Sequence, residues 1–370
     1  MMRKSKAEVL IVCAHRRGRS PSQRYRFEQY LDFLENQGFS FTFAPFLNAA
    51  EDNVFYSKGR TFSKLLIIVR STLKRVKLLT TIKSYDLIFI QREAHFLGSS
   101  FFERSVARCG KPLIFDFDDS IWLADTSPGN KKWEWLKNPA KFINNIKSAT
   151  LVIAGNQYLA QRAGFYNKNI VVIPTTINTE FHKPLPRHAN KDRIIIGWSG
   201  SLSTLKHFEL LLPVLLRLKE EMPEKIAVKI MGAALAQVKF PGIIAVPWTE
   251  EKEVAELNSF DIGVMPLPDD EWSKGKCGLK ALSYMACEIA TVASKVGVNS
   301  EIVQNGENGL IAGNEEEWYY ALKLLIEDEQ LRRRLGKAGR DTVIKRYSVA
   351  ANKKKYLEAF NFCLASGGKQ

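Results

Sequence analysis

The chain lacks any long apolar run, and this limits the classes of protein to which it can belong. Of its 370 residues, 45% are hydrophobic and 25% are charged, a balance typical of a globular protein with a sizeable core. No segment approaches the roughly 18 apolar residues of a membrane-spanning helix. The run over residues 9–14 is too short for a signal peptide and is followed by His15, Arg16 and Arg17. We interpret it as a first buried strand and expect a cytoplasmic protein.

Cysteines are few, and their pattern excludes two further classes. The five cysteines have neither the paired spacing of a metal site nor the density of a disulfide framework. We expect reduced thiols, as in cytosolic proteins. Cys277 lies in a glycine-bearing loop, where we interpret it as a small packing group and not as a nucleophile. Repeats of solenoid period are absent, and the length predicts two or three domains.

Acidic residues are too few to balance the basic ones, which leaves a formal net charge of +15. Such a charge attracts nucleic acid, anionic lipid or phosphorylated ligands. Residues 58–83, from Lys58 to Lys83, hold eight Lys or Arg, no acid and many apolar residues. A basic helix with an apolar side suits the surface of an anionic membrane, and a core helix with a solvated basic face is the alternative. Aromatic and basic residues do not alternate as in a stacking platform, so we predict no nucleic-acid partner.

Strands and helices alternate along the whole chain, which predicts an α/β fold with parallel sheets. The expected strands are residues 9–14, 39–44, 87–91, 113–117, 151–154, 171–174, 194–198, 227–231, 243–246, 262–265 and 289–293. The main expected helices are residues 25–37, 140–147, 205–218, 250–259, 279–287, 315–327, 330–347 and 349–364. The proline-containing stretch 175–193 is predicted to link two domains. Ligands of such sheets bind at the carboxyl ends of the strands.

The most informative stretch is residues 274–313, which begins KGKCGLKALSYMACEIATVAS. It predicts a glycine-bearing loop, a helix, a buried strand and a second loop with glycines. Backbone N–H groups at a helix N-terminus can hold a phosphate, and Lys276 and Lys280 lie beside it to neutralise a diphosphate. A plain strand–helix unit with solvated lysines is the alternative.

This stretch resembles the donor half of family 4 (group 1) retaining glycosyltransferases of the GT-B superfold. The residues that match the family pattern are Gly278, Leu279, Leu282, Met285, Ala286, Cys287, Val292, Ala293, Ser294, Gly297, Glu301, Ile302, Val303, Gly306, Asn308 and Gly309. The family's two glutamates, which contact the donor sugar and its ribose, fall here on Gly275 and Ser283. A variant pattern with lysine at 280, found among polysaccharide-pathway relatives, fits better.

The resemblance implies two Rossmann-like domains with parallel sheets that face an interdomain cleft. Residues 1–180 would bind the acceptor, with a C-terminal helix over 349–370 packing back on them, and residues 190–348 would bind the nucleotide sugar. The donor is expected to be UDP- or GDP-linked, and no metal is expected. The predicted donor-binding residues are Gly200, Ser201, Lys206, Lys276, Cys277, Gly278, Leu279, Lys280, Ser283 and Glu301.

The predictions for Ser201, Lys206 and Glu301 depend on two loops, one over residues 197–206 and one near the end of residues 274–313. In the first loop, Lys206 keeps the place of a family lysine that neutralises the leaving diphosphate, and Ser201 replaces the family's arginine. An N-capping loop with a surface lysine is the alternative. Glu301 can accept hydrogen bonds from sugar or ribose hydroxyls, or cap the next helix.

Four arginines crowd the loop over residues 16–24, after the first strand. Because guanidinium groups bind phosphates, we predict that Arg19, Ser22 and Arg24 contact an anionic acceptor such as a lipid diphosphate. A solvated basic turn is the alternative.

Acidic side chains end two of the expected strands. Alternation places Asp116 and Asp118 on one side of a strand, with Asp119 starting the loop. The resemblance implies that Asp118 or Asp119 orients or deprotonates the acceptor hydroxyl, and capping or pairing with arginines is the alternative. Glu93 and His95 follow another strand and are further candidates for a base or an acceptor contact, although a structural role is common for a lone histidine.

Together these features predict a hexosyltransferase-like enzyme that moves a sugar from a nucleotide sugar to a hydroxyl. The resemblance adds retention of configuration, a glycan or lipid-linked acceptor, and a role in surface polysaccharide or glycolipid synthesis. A peripheral position on the inner face of the plasma membrane would suit the basic segment. The alternatives are a nucleotide-sugar epimerase of the same fold and an inactive nucleotide-sugar-binding scaffold.

Overall fold

A computed structural model describes residues 6–123, 138, 140–186, 193–232 and 240–367. The chain divides into two compact units. The first unit comprises Met1–Thr175 together with Asn352–Gln370, and the second comprises Thr176–Ala351. Each is built on its own six-stranded sheet, and every strand pairing in both sheets is parallel among the residues described. This confirms the predicted α/β class.

The sheet of the first unit has the strand order β2-β1-β3-β4-β5-β6. Its strands are β1 (Ala7–Cys13), β2 (Phe39–Pro45), β3 (Leu87–Gln91), β4 (Leu113–Phe117), β5 (Leu151–Ala154) and β6 (Ile170–Val172). The helices that follow them are α1 (Pro21–Arg24), α2 (Leu31–Asn36), α3 (Ala49–Tyr56), α4 (Thr61–Thr81), α5 (Phe101–Arg108), α6 (Lys141–Ser148) and α7 (Gln157–Gly164). The central strands are almost wholly apolar because helices cover both faces of a parallel sheet.

The sheet of the second unit has the order β12-β11-β10-β7-β8-β9. Its strands are β7 (Ile194–Ser199), β8 (Ile226–Met231), β9 (Ile244–Val246), β10 (Ile262–Met265), β11 (Ala290–Ser294) and β12 (Leu310–Ala312). Its helices are α8 (Leu205–Glu209), α9 (Leu212–Glu221), α10 (Glu250–Asn258), α11 (Glu271–Lys274), α12 (Leu279–Ala286), α13 (Asn299–Ile302), α14 (Glu315–Glu327) and α15 (Glu329–Thr342). One buried apolar cluster joins strands β7, β8, β10 and β11 to helices α9 and α14.

The last helix, α16 (Val349–Gly367), belongs from Asn352 onward to the first unit. Its Tyr356 ring lies 4.3 Å from the ring of Tyr30, and its Phe360 ring lies 5.4 Å from that of Phe39. Tyr356 and Phe360 are buried. The aromatic side of α16 thus completes the core beside the first strands.

Four local predictions are wrong. The helix expected over 25–37 is interrupted by a 3₁₀ turn at Glu28–Tyr30, where the Glu28 carboxylate accepts a hydrogen bond from the Gly18 N–H at 2.8 Å. Pro213 cannot donate a backbone hydrogen bond, so α9 starts anew at Leu212 instead of continuing α8. The helix expected over 330–347 becomes a π-helical turn at Val343–Tyr347. The short edge strand β12 lies in a predicted loop.

The predicted linker over 175–193 is only partly described, since residues 187–192 lie outside the described residues. Its first part is packed and not extended. Ile177 is buried and bridges Ser348, and the carbonyl of His182 accepts a hydrogen bond from Arg340 at 3.1 Å. These contacts make residues after Thr176 an integral part of the second unit.

A buried ion pair crosses the core of the first unit. Arg26 and Asp116 are both fully buried, and the Arg26 guanidinium lies 2.5 Å from one carboxylate oxygen and 3.3 Å from the other. Arg26 also donates to the carbonyl of Ile173. This interaction joins the segment after α1, strand β4 and the residue that follows β6. Asp116 is therefore a structural carboxylate, as the pairing alternative anticipated.

Replacing Asp116 with asparagine should destabilise the first unit by about 3 kcal/mol, because a buried guanidinium then loses its counter-charge. Urea unfolding measures the effect. Asp32→Asn is the matched control: Asp32 lies 3.5 Å from Arg17 but its side chain is 88% exposed, so a change below about 0.5 kcal/mol is expected. Equal losses in the two variants would contradict the structural role of the buried pair.

Candidate functional site

The charges of the three predicted donor-binding lysines all act on one buried histidine in the second unit. His207, in α8, is only 5% exposed. Burial and the charges of Lys280, Lys206 and Lys276 lower the pKa of His207 to about 4, so its ring is neutral at pH 7. Asp270, which caps α11 through the Ser273 N–H at 2.7 Å, is the opposite charge that acts on the same ring. Three positive charges and one negative charge are therefore among the strongest influences on the His207 ring.

Aromatic rings lie beneath two of these ammonium groups. The Lys280 Nζ lies 5.6 Å from the ring centroid of Trp198, and the Lys276 Nζ lies 4.7 Å from that of Trp272. Trp198 ends β7 and is almost fully buried against Phe208. Such cation–π contacts favour the charged lysines without neutralising them. The ammonium groups keep their capacity to attract an anion.

The predicted loop after β7 comes close to this tryptophan. A side chain at Gly200 would lie 2.5 Å from the ring of Trp198 and 2.8 Å from the Thr204 hydroxyl, so only glycine fits. The loop continues through a 3₁₀ turn at Leu202–Thr204 into α8, which carries Lys206. Gly200 thus packs against the same tryptophan ring whose centroid lies 5.6 Å from the Lys280 ammonium.

Helix α12 begins at the other predicted loop. Gly278 is its N-cap residue, with φ of +73° in the left-handed region, and an added Cβ would lie 2.2 Å from the Ile302 Cδ1. No side chain caps the helix, so the positive end of its dipole points at the loop that carries Lys276. The Ser199 N–H donates to the Tyr284 hydroxyl at 2.8 Å, which fixes α12 against the end of β7.

Other predicted donor residues have different surroundings. Ser283 is buried, and its hydroxyl donates to the carbonyl of Leu279 at 2.9 Å. Cys277 is buried with its sulfur 3.8 Å from the Gly275 carbonyl, as expected for a packing group. Glu301 is exposed at α13, and its backbone carbonyl faces Arg346 at 3.5 Å. Ser201 is exposed beside Gly200, and Leu279 opens α12. The clustered part of the prediction is thus the lysines and the two glycines.

Sequence reasoning missed Trp198, His207 and Asp270. All three lie on the carboxyl side of a strand of the second sheet, where parallel sheets bind ligands: Trp198 is the next-to-last residue of β7, His207 lies in the helix that follows it, and Asp270 lies in the segment after β10. Trp198 precedes the predicted Gly200 loop by two positions, and His207 follows Lys206 directly. Position relative to the strand ends was the signal that could have identified them.

In the first unit, an arginine bridges two of the predicted catalytic carboxylates. The Arg92 Nε lies 2.7 Å from Asp118, and its terminal nitrogen lies 3.3 Å from Asp119. Arg92 adopts a left-handed backbone, with φ of 61°, which costs a non-glycine residue about 1 kcal/mol. Its N–H donates to the Asp116 carbonyl at 2.7 Å. The ends of β3 and β4 are thereby joined, and sequence reasoning assigned Arg92 no role.

The structure favours a structural role for His95 over the predicted catalytic one. Its Nδ1 accepts the Leu97 N–H at 3.0 Å, and its Nε2 lies 2.6 Å from the Thr72 hydroxyl, which donates to the Ile68 carbonyl. Burial and the charge of Lys141 lower the pKa of His95 to about 4. Both ring nitrogens of the neutral side chain are therefore engaged. Glu93 forms an ion pair with Lys141.

The arginine-rich loop is held by a buried carboxylate. Asp52 lies 2.5 Å from Arg19 and 3.5 Å from Arg16, and its side chain is only 4% exposed. The Ser22 carbonyl accepts a hydrogen bond from Gln91 at 3.4 Å, and Arg24 lies over the ring of Tyr25. The contacts of Arg19, Ser22 and Arg24 with an acceptor stay a prediction. In the described part of the chain, no group of three or more His, Cys, Asp or Glu side chains has the arrangement of a metal site.

Comparisons with known proteins agree with this architecture. Residues 193–328 match the model of a family described as glycosyl transferases group 1. The matched segment lies wholly in the second unit and contains the three lysines Lys206, Lys276 and Lys280, called here the lysine cluster. No curated protein sequence matches the chain.

Solved structures extend the likeness to the whole chain. A glycosyltransferase from Rickettsia africae has a TM-score of 0.68 at 13% identity, over 98% of this chain and 99% of its own. Anabaena HepE in complex with UDP and glucose has a TM-score of 0.68 at 15% identity, over 96% and 99%. The fold matches that of GT-B glycosyltransferases. Sucrose-phosphate synthase from Thermosynechococcus elongatus, with the same TM-score at 14% identity over 98% and 100%, is similar in the same way.

The neutral His207 predicts a pH-dependent stability. Because the folded-state pKa is about 4 and the ordinary value is 6.5, the unfolded chain binds a proton first as the pH falls below about 6.5. Wild-type stability should therefore decrease between pH 6.5 and 4. Urea unfolding measures the effect. Between pH 7 and 5, the free energy of unfolding of His207→Gln should decrease by about 1 kcal/mol less than that of wild type, a value that includes a discount for screening by solvent. Identical losses would show that His207 is protonated without penalty in the folded protein.

Proposed function

We propose that this protein transfers a hexose-like sugar from a UDP- or GDP-linked donor to a hydroxyl of a glycan or lipid-linked acceptor, with retention of configuration. We assign it a role in surface polysaccharide or glycolipid synthesis. The observation that carries the proposal is the N-terminus of α12 at Gly278 with Lys276 and Lys280 on either side of it, the Lys280 ammonium lying 5.6 Å from the Trp198 ring against which Gly200 packs. The charges of these two lysines and of Lys206 also act on His207. The family match over the same residues and the UDP found in HepE support a nucleotide-sugar donor.

The arrangement suits a diphosphate leaving group. When the bond between sugar and phosphate breaks, negative charge grows on the departing phosphate oxygens. Positive charge to stabilise those oxygens comes from Lys206, Lys276 and Lys280, and the dipole of α12 adds to it. A neutral His207 donates or accepts a hydrogen bond there without adding to the repulsion between the lysines. No metal is required for this charge balance.

The acceptor side of the proposal rests on the first unit. Asp118 and Asp119 follow β4, at the carboxyl edge of its sheet. Their ion pairs with Arg92 fix both carboxylates in position. A carboxylate held in this way can orient an acceptor hydroxyl and take up its proton. We assign this role to Asp118 or Asp119 in preference to His95.

One observation favours the scaffold as a second candidate. By the resemblance, the family glutamate that contacts the donor sugar is replaced by Gly275, and the one that contacts the ribose is replaced by Ser283, whose hydroxyl donates to the Leu279 carbonyl within α12. A protein that binds the donor without these carboxylates can hold a nucleotide sugar and not transfer it. The two candidates share the lysine site and differ only in turnover.

Lys280→Ala and Lys206→Ala should each weaken binding of UDP or GDP by about tenfold, since each removes a charge-assisted contact to phosphate. Calorimetric titration with UDP, GDP and their sugars measures the affinity. The exposed Lys337 on α15 provides the matched control, and Lys337→Ala should bind as wild type does. Unchanged affinity in both test variants would contradict the assigned phosphate site.

A turnover assay separates the enzyme from the scaffold. Release of free UDP or GDP from nucleotide sugars is measured with and without glycan acceptors. Asp118→Asn or Asp119→Asn should lower kcat by about 100-fold, because the acceptor hydroxyl loses its base, while UDP affinity is retained. Tight donor binding by wild type with neither hydrolysis nor transfer would favour the scaffold. A kcat unaffected by both substitutions would reject the assigned carboxylates.

A further inference from the structure

Helix α4 of the first unit exposes its apolar side and buries its polar side. Its large exposed side chains are Phe62 (72% exposed), Leu65 (46%), Leu66 (54%), Val69 (48%), Leu73 (64%) and Val76 (48%). At 100° per residue these six lie in one stripe about 100° wide. The stripe runs over about 20 Å of helix at 1.5 Å per residue.

The buried face of α4 lies directly opposite this stripe. It carries Lys64, Ile67, Ser71 and Arg75, of which only Ile67 is apolar. The arrangement contradicts one half of the alternative, in which the helix packs its apolar side into the core, whereas basic side chains of the helix are exposed as that alternative expected.

Hydrogen bonds to strand ends hold the helix in this orientation. The Arg75 guanidinium donates to the carbonyls of Ala94, Ala44 and Cys13 at 2.8, 2.6 and 2.9 Å. The Ser71 hydroxyl donates to the Phe46 carbonyl at 2.8 Å. Rotation of α4 to bury the stripe would leave Arg75 and these carbonyls unsatisfied, at a cost of several kcal/mol. The exposed stripe is therefore a fixed feature of the first unit.

Basic side chains border the stripe. Arg70, Lys74 and Lys77 lie along one edge of it, all exposed, and residues 58–83 contain no acid. Glu51 of α3 forms ion pairs at this edge, 3.3 Å from Arg70 and 3.9 Å from Lys74. Among the described residues, the helices are either too short or too polar to cross a bilayer. An apolar stripe beside basic residues fits the headgroup region of an anionic bilayer.

We propose that the apolar stripe of α4, with Arg70, Lys74 and Lys77 at its edge, docks the protein on the surface of an anionic lipid bilayer. The six apolar side chains would enter the acyl boundary, and the basic groups would contact lipid phosphates. A second copy of the chain fits the stripe less well, because a two-fold contact would bring equal sets of positive charge together. This docking does not depend on sugar transfer.

Flotation with vesicles of phosphatidylcholine containing about 30% phosphatidylglycerol tests the proposal. Wild type should bind these vesicles at least about tenfold more tightly than pure phosphatidylcholine, and 1 M salt should weaken the binding. Leu66→Glu combined with Leu73→Glu should weaken it by about 100-fold, since each leucine contributes about tenfold through burial. The variant should keep wild-type UDP affinity, which separates this result from failure of the donor site.

The matched control carries the same substitutions at leucines of similar exposure in the second unit. Leu210 is 51% exposed and Leu324 is 47% exposed, so Leu210→Glu with Leu324→Glu should bind vesicles as wild type does. Three results would overturn the proposal: no binding of wild type to the anionic vesicles, an equal loss in the control, or a wild-type dimer in ultracentrifugation that the Leu66 and Leu73 substitutions dissociate.

Discussion

Burial of parallel strands on both faces is the constraint on which the rest of the structure depends. In both units the central strands are apolar along most of their length, and many of the polar side chains described above lie near the strand ends, where backbone carbonyls and helix N-termini also need partners. Arg75 satisfies carbonyls at the ends of β1 and β2, and Arg92 joins the ends of β3 and β4. The groups that can bind a ligand are thus concentrated at the same edge as the groups that hold each sheet together.

Local pattern was enough to predict most of the strands and part of the site. Strands β3, β4, β5 and β10 have the expected bounds because each is a short apolar run between turn residues. The lysines at 276 and 280 could be predicted because a strand, a loop and a helix fix their place. Pairings over long separations could not: nothing local indicates that Arg26 faces Asp116, 90 positions away, or that His95 is held by Thr72.

Helix α4 shows a further limit of pattern. Its sequence has a polar face and an apolar face, and periodicity alone cannot say which one the protein buries. The usual expectation is that the apolar face packs on the core. Here the carbonyls at the strand ends need donors, and Arg75 supplies three of them from one helix position. The requirement to satisfy buried polar groups outweighed apolar packing, and the outer face of the helix became apolar as a result.

In the lysine cluster of the second unit, an arrangement that lowers the stability of the fold serves another requirement, the binding of an anion. Three ammonium groups near one histidine repel one another, and the only opposite charge among the strongest influences on His207 is that of Asp270. A folded protein tolerates such repulsion when solvent screens it, and the rings of Trp198 and Trp272 favour two of the three cations, those of Lys280 and Lys276. A bound diphosphate would relieve the repulsion directly. The free energy released in this way would contribute to the affinity for the anion, so that groups that destabilise the isolated fold would favour the binding of phosphate.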